Sequence, residues 1–283
     1  MTPLVVAAVL LAAVTHASWN AIAHGIRDQL LAFTLVGGGG VLCGAVLAGC
    51  TPLPAAGAWP FLLGSAVLHI VYQALLMRSF QLGDFGQMYP IARGTAPLVV
   101  TVLAAVFVHE IPGPWALAGV ALASAGLVGV ALWGIRGSGS HPQWPALLAA
   151  VATGLAIASY TTVDGLGVRA SGTALGYIGW LLILEGLVIP AYALAVRRGQ
   201  LLSQLRPFAL RGLAGGVLSV FAYGLVLWAQ TRAPLAPIAA LRESSIIVGA
   251  AIGALFFKER FGAPRIAAAG LMVLGIGLML YNG

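Results

Sequence analysis

Residues 90–110 read PIARGTAPLVVTVLAAVFVHE, and residues 237–259 read PIAALRESSIIVGAAIGALFFKE. Each copy opens on Pro-Ile-Ala, sets an arginine into apolar sequence and closes on a glutamate. Arg93 lies as far from Glu110 as Arg242 lies from Glu259. An apolar helix has no need of an internal arginine, which costs about 2.5–3.5 kcal/mol at the centre of a membrane span on insertion scales. The doubled stretch therefore predicts a membrane protein built by internal repetition, whose buried charges must find partners or a wet cavity.

Composition agrees. The chain has 283 residues, 60% hydrophobic and 7% charged, with a mean hydropathy of +1.01. A soluble domain carries about 25% charged residues. In lipid every backbone group must be bonded internally, so a chain spans as helices or as a closed barrel. The period-two alternation of a barrel is absent, and runs of about 20 apolar residues recur. The 38 glycines suit close helix packing in membranes. The net charge of +7 is scattered among short loops and forms no basic patch, so no nucleic-acid partner is expected. Cys43 and Cys50 share one apolar run and read as packing residues. Met1 to Leu11 lacks the basic start of a cleavable signal.

Glycine, proline and charge punctuate the chain into ten expected spans, 3–24, 29–49, 58–81, 85–108, 114–135, 143–164, 172–196, 208–231, 235–257 and 263–281. Five fall in 1–135 and five in 143–283, with 136–142 as a linker loop. The first half carries Tyr72, Arg93, Glu110 and Gly113 in order, and the second Tyr223, Arg242, Glu259 and Gly262. An odd number of helices per unit places the second copy upside down, and inverted repeats put a substrate site near the midplane between them. The expected fold is all-α: ten transmembrane helices as two inverted five-helix repeats. Arg27, Arg78, Arg136, Arg197, Arg198, Arg206, Arg211, Lys258, Arg260 and Arg265 fall at one face, and Arg169 and Arg232 at the other. The excess marks the cytoplasm and puts both termini in the periplasm of a bacterial inner membrane.

These features resemble the drug/metabolite transporter superfamily, and within it the EamA family. The likeness rests on the doubled fourth-helix glutamate (His109-Glu110 and Lys258-Glu259) and on His16-Ala17-Ser18-Trp19-Asn20 in the first helix. It covers essentially the whole chain. Characterised relatives such as the YddG-type aromatic amino-acid exporters imply export of amino acids or related small metabolites. That substrate class comes from the resemblance alone.

Ionisable residues well inside spans are Arg93, Glu185, Arg242 and Glu243. A guanidinium can grip a substrate carboxylate bidentately, so Arg93 or Arg242 is a candidate anion site; alternatively Arg93 pairs with Glu243 as a clamp between the halves. His16, Trp19 and Asn20 share one helix face, and His69, Tyr72 and Gln73 repeat that spacing. With Tyr89, Tyr160, Trp180 and Tyr223 they make a candidate cavity wall for an amphipathic small molecule. Interhelical hydrogen bonding is the plainer reading of any one of them. Pro90, Pro97 and Pro237 are candidate kinks. His16, His69 and Glu185 are the groups a coupling proton would use, though uncoupled or weakly coupled export is favoured. No metal or other cofactor is expected, and the carrier is expected to work as a monomer in the lipid bilayer.

Other classes fit less well. His109-Glu110 lacks the second histidine of a zinc protease helix, and Asp28, Asp84 and Asp164 read as lying at span ends. An intramembrane enzyme is therefore not expected. A channel is usually a symmetric oligomer. Uptake remains the alternative to export, because the gradient sets the direction.

Overall fold

The structure, a computed structural model, describes residues 1–24, 26, 28–82, 85–137, 144–248 and 263–281. The regular structure of these residues is helical. The helices are α1 (Pro3–His24), α2 (Gln29–Cys50), α3 (Trp59–Leu82), α4 (Phe85–Leu103), α5 (Pro114–Gly137) and α6 (Trp144–Ala170). They continue with α7 (Ala174–Gly186), α8 (Val188–Arg197), the short α9 (Leu201–Leu205), α10 (Ala209–Gln230) and α11 (Leu235–Arg242). The last, which we number α12, is Ala263–Leu280.

Among the described residues six stretches are long and apolar enough to cross a membrane: Pro3–Ala23, Gln29–Cys50, Ala56–Leu76, Ile91–Val108, Trp144–Ala170 and Ala174–Gln230. The last has 57 residues and contains α7 to α10, more chain than the roughly 20 residues of one crossing. Pro114–Gly129 and Ile266–Leu280 are shorter apolar helical runs.

Local chemistry sets the ends. Asp28 caps α2, its carboxylate accepting from the backbone N–H of Leu30 and Leu31, and Thr173 caps α7 through Gly176 N–H. α4 runs unbroken through Pro90 and Pro97, so neither proline ends the helix. It then widens into a π-helical turn, Ala104–Val108, and stops at His109, which adopts a left-handed φ of 56°. Pro237 stands in the first turn of α11, where a missing N–H costs nothing.

Three spans differ from the sequence expectation. The sixth runs on to Ala170, because Gly165 and Gly167 serve packing and not chain reversal: Gly165 meets Leu235, and Gly167 meets Tyr177 and Phe61. The seventh breaks at Leu187, between α7 and α8. The ninth breaks after Arg242, where Glu243 and Ser244 form a turn. Lys258, Glu259, Arg260 and Gly262, the second copy of the loop motif, lie outside the described residues, as do Arg27, Asp84 and the 138–143 loop.

The helices pack α1 on α10, α3 on α6, α2 on α7 and α10, α3 on α7, α4 on α5, α6 and α11, and α5 on α12. Exchanging α1–α5 for α6, α7, α10, α11 and α12 maps these pairs onto one another. α1–α10 becomes α3–α6, α2–α10 becomes α3–α7, and α4–α6 becomes α1–α11; α2–α7, α4–α11 and α5–α12 map onto themselves. Small residues permit the closest approach. A Cβ added to Gly44 on α2 would stand 2.7 Å from the Gly179 carbonyl of α7.

Candidate functional site

Two charged groups lie inside the helical bundle. The first joins α4 to the turn that ends α11. Arg93 Nε donates to Glu243 Oε2 at 2.6 Å, with both residues almost fully buried at 3% and 1% exposure. Arg93 Nη2 also reaches Ser245 Oγ at 3.5 Å. Arg242 Nε stands 3.7 Å from the other Glu243 oxygen, which is too long for a hydrogen bond. Arg242 Nε has no hydrogen-bond partner among the described residues, although the residue is buried. One carboxylate thus faces two guanidiniums, and the group carries a surplus positive charge. The helix break creates this geometry, since Glu243 leaves the α11 spiral and turns its side chain back to α4.

α1 adds a polar stripe beside this group. Trp19 Nε1 donates to His16 Nδ1 at 3.3 Å, the two rings meet edge-on, and Asn20 donates to the His16 carbonyl at 2.8 Å. His16 lies within the electrostatic reach of both Arg93 and Arg242.

The second group brings together α3, α6, α7 and α10. His69 stacks on Tyr160 with ring centroids 4.0 Å apart and meets Tyr223 edge-on. Tyr72 meets the other side of Tyr160 edge-on at 5.5 Å. His69 Nε2 lies 3.4 Å from Glu185 Oε2, and His69 Nδ1 faces the Ser65 hydroxyl at 3.2 Å. Ser65 in turn interacts with Asp164. Asp164 is fully buried and accepts from Tyr177 Oη at 3.0 Å and from Tyr223 Oη. Tyr160 lies within the electrostatic reach of Arg242, Arg93 and Glu243 of the first group and of Asp164 of the second.

Most of the residues expected from sequence fall into these two groups. Trp180 instead meets Trp59 edge-on at 5.2 Å in the apolar cluster of α3 and α7. Gln73 is half-buried on α3 beside Tyr72. Tyr89 lies on α4, and its side chain is outside the described residues. Asp164 is the main correction: the sequence suggests a span end, and the structure encloses it among helices. The spacing of Tyr160 and Asp164 along one face is the signal, obscured by reading Gly165 as a break. A groove of about 370 Å³ between α1 and α10 contains none of these residues. Among the described residues, no cluster of three or more His, Cys, Asp or Glu could hold a metal.

Among the described residues a polar tie stands at each end of the bundle. At one end Arg169 of α6 donates to Glu110 at 2.7 Å and to the carbonyls of Gln230 and Ala233, while the second Glu110 oxygen accepts the Leu235 N–H at 2.8 Å. Glu110 thereby caps α11 from another helix. At the other end Arg197 donates to Asp28 at 2.7 Å.

Comparison with known proteins adds a partial family match. Residues 144–281 match the EamA-like transporter family. This EamA-like stretch holds Tyr160, Asp164, Glu185, Tyr223, Arg242 and Glu243, so much of the charged centre falls within it. The family comprises membrane transporters of small molecules, not enzymes, and the match together with the apolar helices makes this a multi-pass membrane protein. A solved crystal structure superposes with a TM-score of 0.71 over 98% of this chain and 95% of its own, at 17% identity. That likeness speaks for the fold alone. No curated protein matches the sequence.

Proposed function

We propose that the protein is a secondary transporter that exports small amphipathic zwitterions, amino acids with apolar or aromatic side chains foremost, by alternating access. The observation that carries this reading is the pair of oppositely charged groups, each within electrostatic reach of Tyr160. An α-carboxylate suits the spare Arg242 guanidinium, which is buried without a hydrogen-bond partner among the described residues and can grip a carboxylate through two parallel bonds. An α-ammonium suits Glu185 and its neighbour Asp164. The stacked rings of His69, Tyr72, Tyr160 and Tyr223 offer an apolar and cation-tolerant wall between them.

The architecture we propose is ten crossings in two inverted five-helix repeats. The helix pairs that interchange on swapping the halves support it. So do the two end ties. Asp28 meets Arg197, which fits the first and seventh loops sharing a face, and Glu110 meets Arg169 and the start of α11, which fits the fourth, sixth and eighth loops sharing the other. Placement in a bacterial inner membrane with periplasmic termini rests on the arginine bias, and export rests on the family resemblance.

The test is a flux screen of labelled amino acids on the purified protein in proteoliposomes. Saturable efflux with counterflow of L-phenylalanine or a similar amino acid is expected. Absence of saturable flux for all amino acids, from protein whose folding is verified, would remove the reading.

A further inference from the structure

The groove between α1 and α10 belongs to neither charged group. It has a volume of about 370 Å³, and its walls are Ala21 and Ile22 of α1 and Leu210, Arg211 and Ala214 of α10. An alanine stands on each wall, so no large side chain fills the space between the helices. The next face of α10 is different. Gly212 faces Leu35 of α2, and a Cβ added to Gly216 would stand 3.0 Å from the Gly39 Cα. Contact of that kind is how small residues hold membrane helices together. α10 is therefore clasped to α2 and leaves an open apolar furrow beside α1. Below it an exposed stripe of Leu210, Leu213, Val217 and Phe221 runs along α10.

The mouth of this furrow is basic. A short 3-10 turn, Arg206–Phe208, leads into α10. Phe208 packs on the cluster of Ala23, Ile26 and Ala32 at the end of α1 and the start of α2, while Arg206, Leu210 and Arg211 are left exposed. Arg206 and Arg211 are five residues apart, no more than about 10 Å of helical rise. Arg198 is exposed on the same connection. Asp28, which lies just beyond α1, is already paired with Arg197. Among the described residues no carboxylate meets Arg198, Arg206 or Arg211. An uncompensated pair of guanidiniums thus stands at one end of an apolar furrow. The ligand that matches both parts is anionic at its head and hydrocarbon along its length.

We propose that the α1–α10 furrow is a binding site for an anionic phospholipid, with one acyl chain against Ala21, Ile22 and Ala214 and the phosphodiester held by Arg211 and drawn by Arg206. A guanidinium fork matches phosphate oxygens through parallel bonds, and basic pockets between transmembrane helices suit anionic headgroups. A free anion would use the arginines and leave the furrow unused. A zwitterionic lipid would use the furrow but bring its own cation to the arginines. The bound lipid touches α1 of the first half of the chain and α10 of the second, at the end of the bundle that carries the Asp28–Arg197 tie. It stands apart from the charged centre and does not depend on the cargo.

The test titrates the full chain in detergent micelles with dioleoylphosphatidylglycerol or dioleoylphosphatidylcholine and reads the first bound lipid by native mass spectrometry. Wild type should hold the anionic lipid about 25-fold more tightly, about fivefold for each guanidinium. The double variant Arg206→Gln, Arg211→Gln should lose that preference. Ala214→Phe fills the furrow with both arginines intact and should weaken the anionic lipid at least as much. Arg232→Gln, beyond the far end of α10 where Arg232 lies over the Trp228 ring, should leave it unchanged. Glycerol 3-phosphate, a headgroup without chains, should not displace the lipid. Equal affinity for the two lipids overturns the proposal, as does an unaltered preference in the double arginine variant. An equal loss in Arg232→Gln would mean attraction by overall charge, and displacement by glycerol 3-phosphate would mean a plain anion site; either overturns it. If Ala214→Phe does not fold, Ala21→Phe on the opposite wall takes its place, and wild-type affinity in the filled furrow overturns the proposal.

Discussion

The two charged groups inside the bundle neutralise charge by different means. At the α4–α11 group a carboxylate is shared between two guanidiniums, so charge meets charge. At the α3–α6–α7–α10 group one carboxylate accepts from two phenol hydroxyls and the other faces an imidazole. The first arrangement is fixed at any physiological pH, because a guanidinium does not release its proton. The second is built from hydrogen bonds and ring contacts. Under the proposed function the arginine group ties α4 to α11 and offers the cargo one cationic contact, while the histidine group forms the aromatic and acidic wall.

The largest expected effect breaks the fixed side. Glu243→Ala leaves Arg93 buried without its carboxylate, and losing one partner of a buried pair costs about 3–5 kcal/mol. Thermal unfolding in detergent should show a strongly destabilised or unfolded protein. The double variant Arg93→Met, Glu243→Leu should recover most of that loss, since apolar replacement of both partners is often neutral. No recovery would mean that the pair acts through something besides its charges.

Next, Arg242→Gln should weaken a cargo carboxylate by about 1.5–3 kcal/mol, the worth of a hydrogen bond to a charged group. That is roughly 10- to 150-fold in affinity. Phenethylamine, which lacks the carboxylate, should bind both proteins alike. Equal loss for both ligands would show that Arg242 shapes the fold and does not touch cargo.

Asp164→Asn sharpens the other side. The amide cannot accept at both positions, so one buried phenol loses its acceptor, at a cost of about 1–3 kcal/mol. Tyr223→Phe should cost less, about 0.6 kcal/mol by the average for membrane hydrogen bonds. The reverse order would mean that Asp164 is held by contacts other than the two tyrosines.

The smallest effects concern the end ties. Arg197→Ala removes a pair with about a third of each side chain exposed, which should cost no more than about 0.2–1 kcal/mol. Arg169→Ala should cost more, because it also releases two backbone carbonyls and the Glu110 cap of α11. Cysteine accessibility at the two ends would show which tie opens more readily.

Much of the molecule is legible in its sequence. Length, hydropathy and punctuation give the all-helical membrane class, and Arg93, Glu185, Arg242 and Glu243 stand out because charge inside an apolar run is costly. The polar spacing in the first and third helices marks His16 and His69. Partnership is less legible. The sequence offers Arg93–Glu243 as one of two readings, but nothing in it pairs Glu185 with His69 or Glu110 with Arg169, since these contacts depend on which helices become neighbours. Asp164 is misread for a different reason. Glycine ends helices in water, yet within a membrane the backbone must stay bonded, so Gly165 and Gly167 continue α6 and serve its packing.

The π-helical turn at Ala104–Val108 has a consequence for how this chain tolerates change in length. Such a turn behaves as a single extra residue accommodated within an α-helix, and each added residue of an α-helix turns the next side chains by about 100° around the axis. Here the register that results points Glu110 at both Arg169 and the Leu235 amide. Deleting any one residue between Leu103 and Val108 should let the helix close regularly and leave Glu110 near its present register, so that α11 stays capped. A homologous chain shorter by one residue at that point would keep an acceptor for the first amide of the helix that carries Arg242.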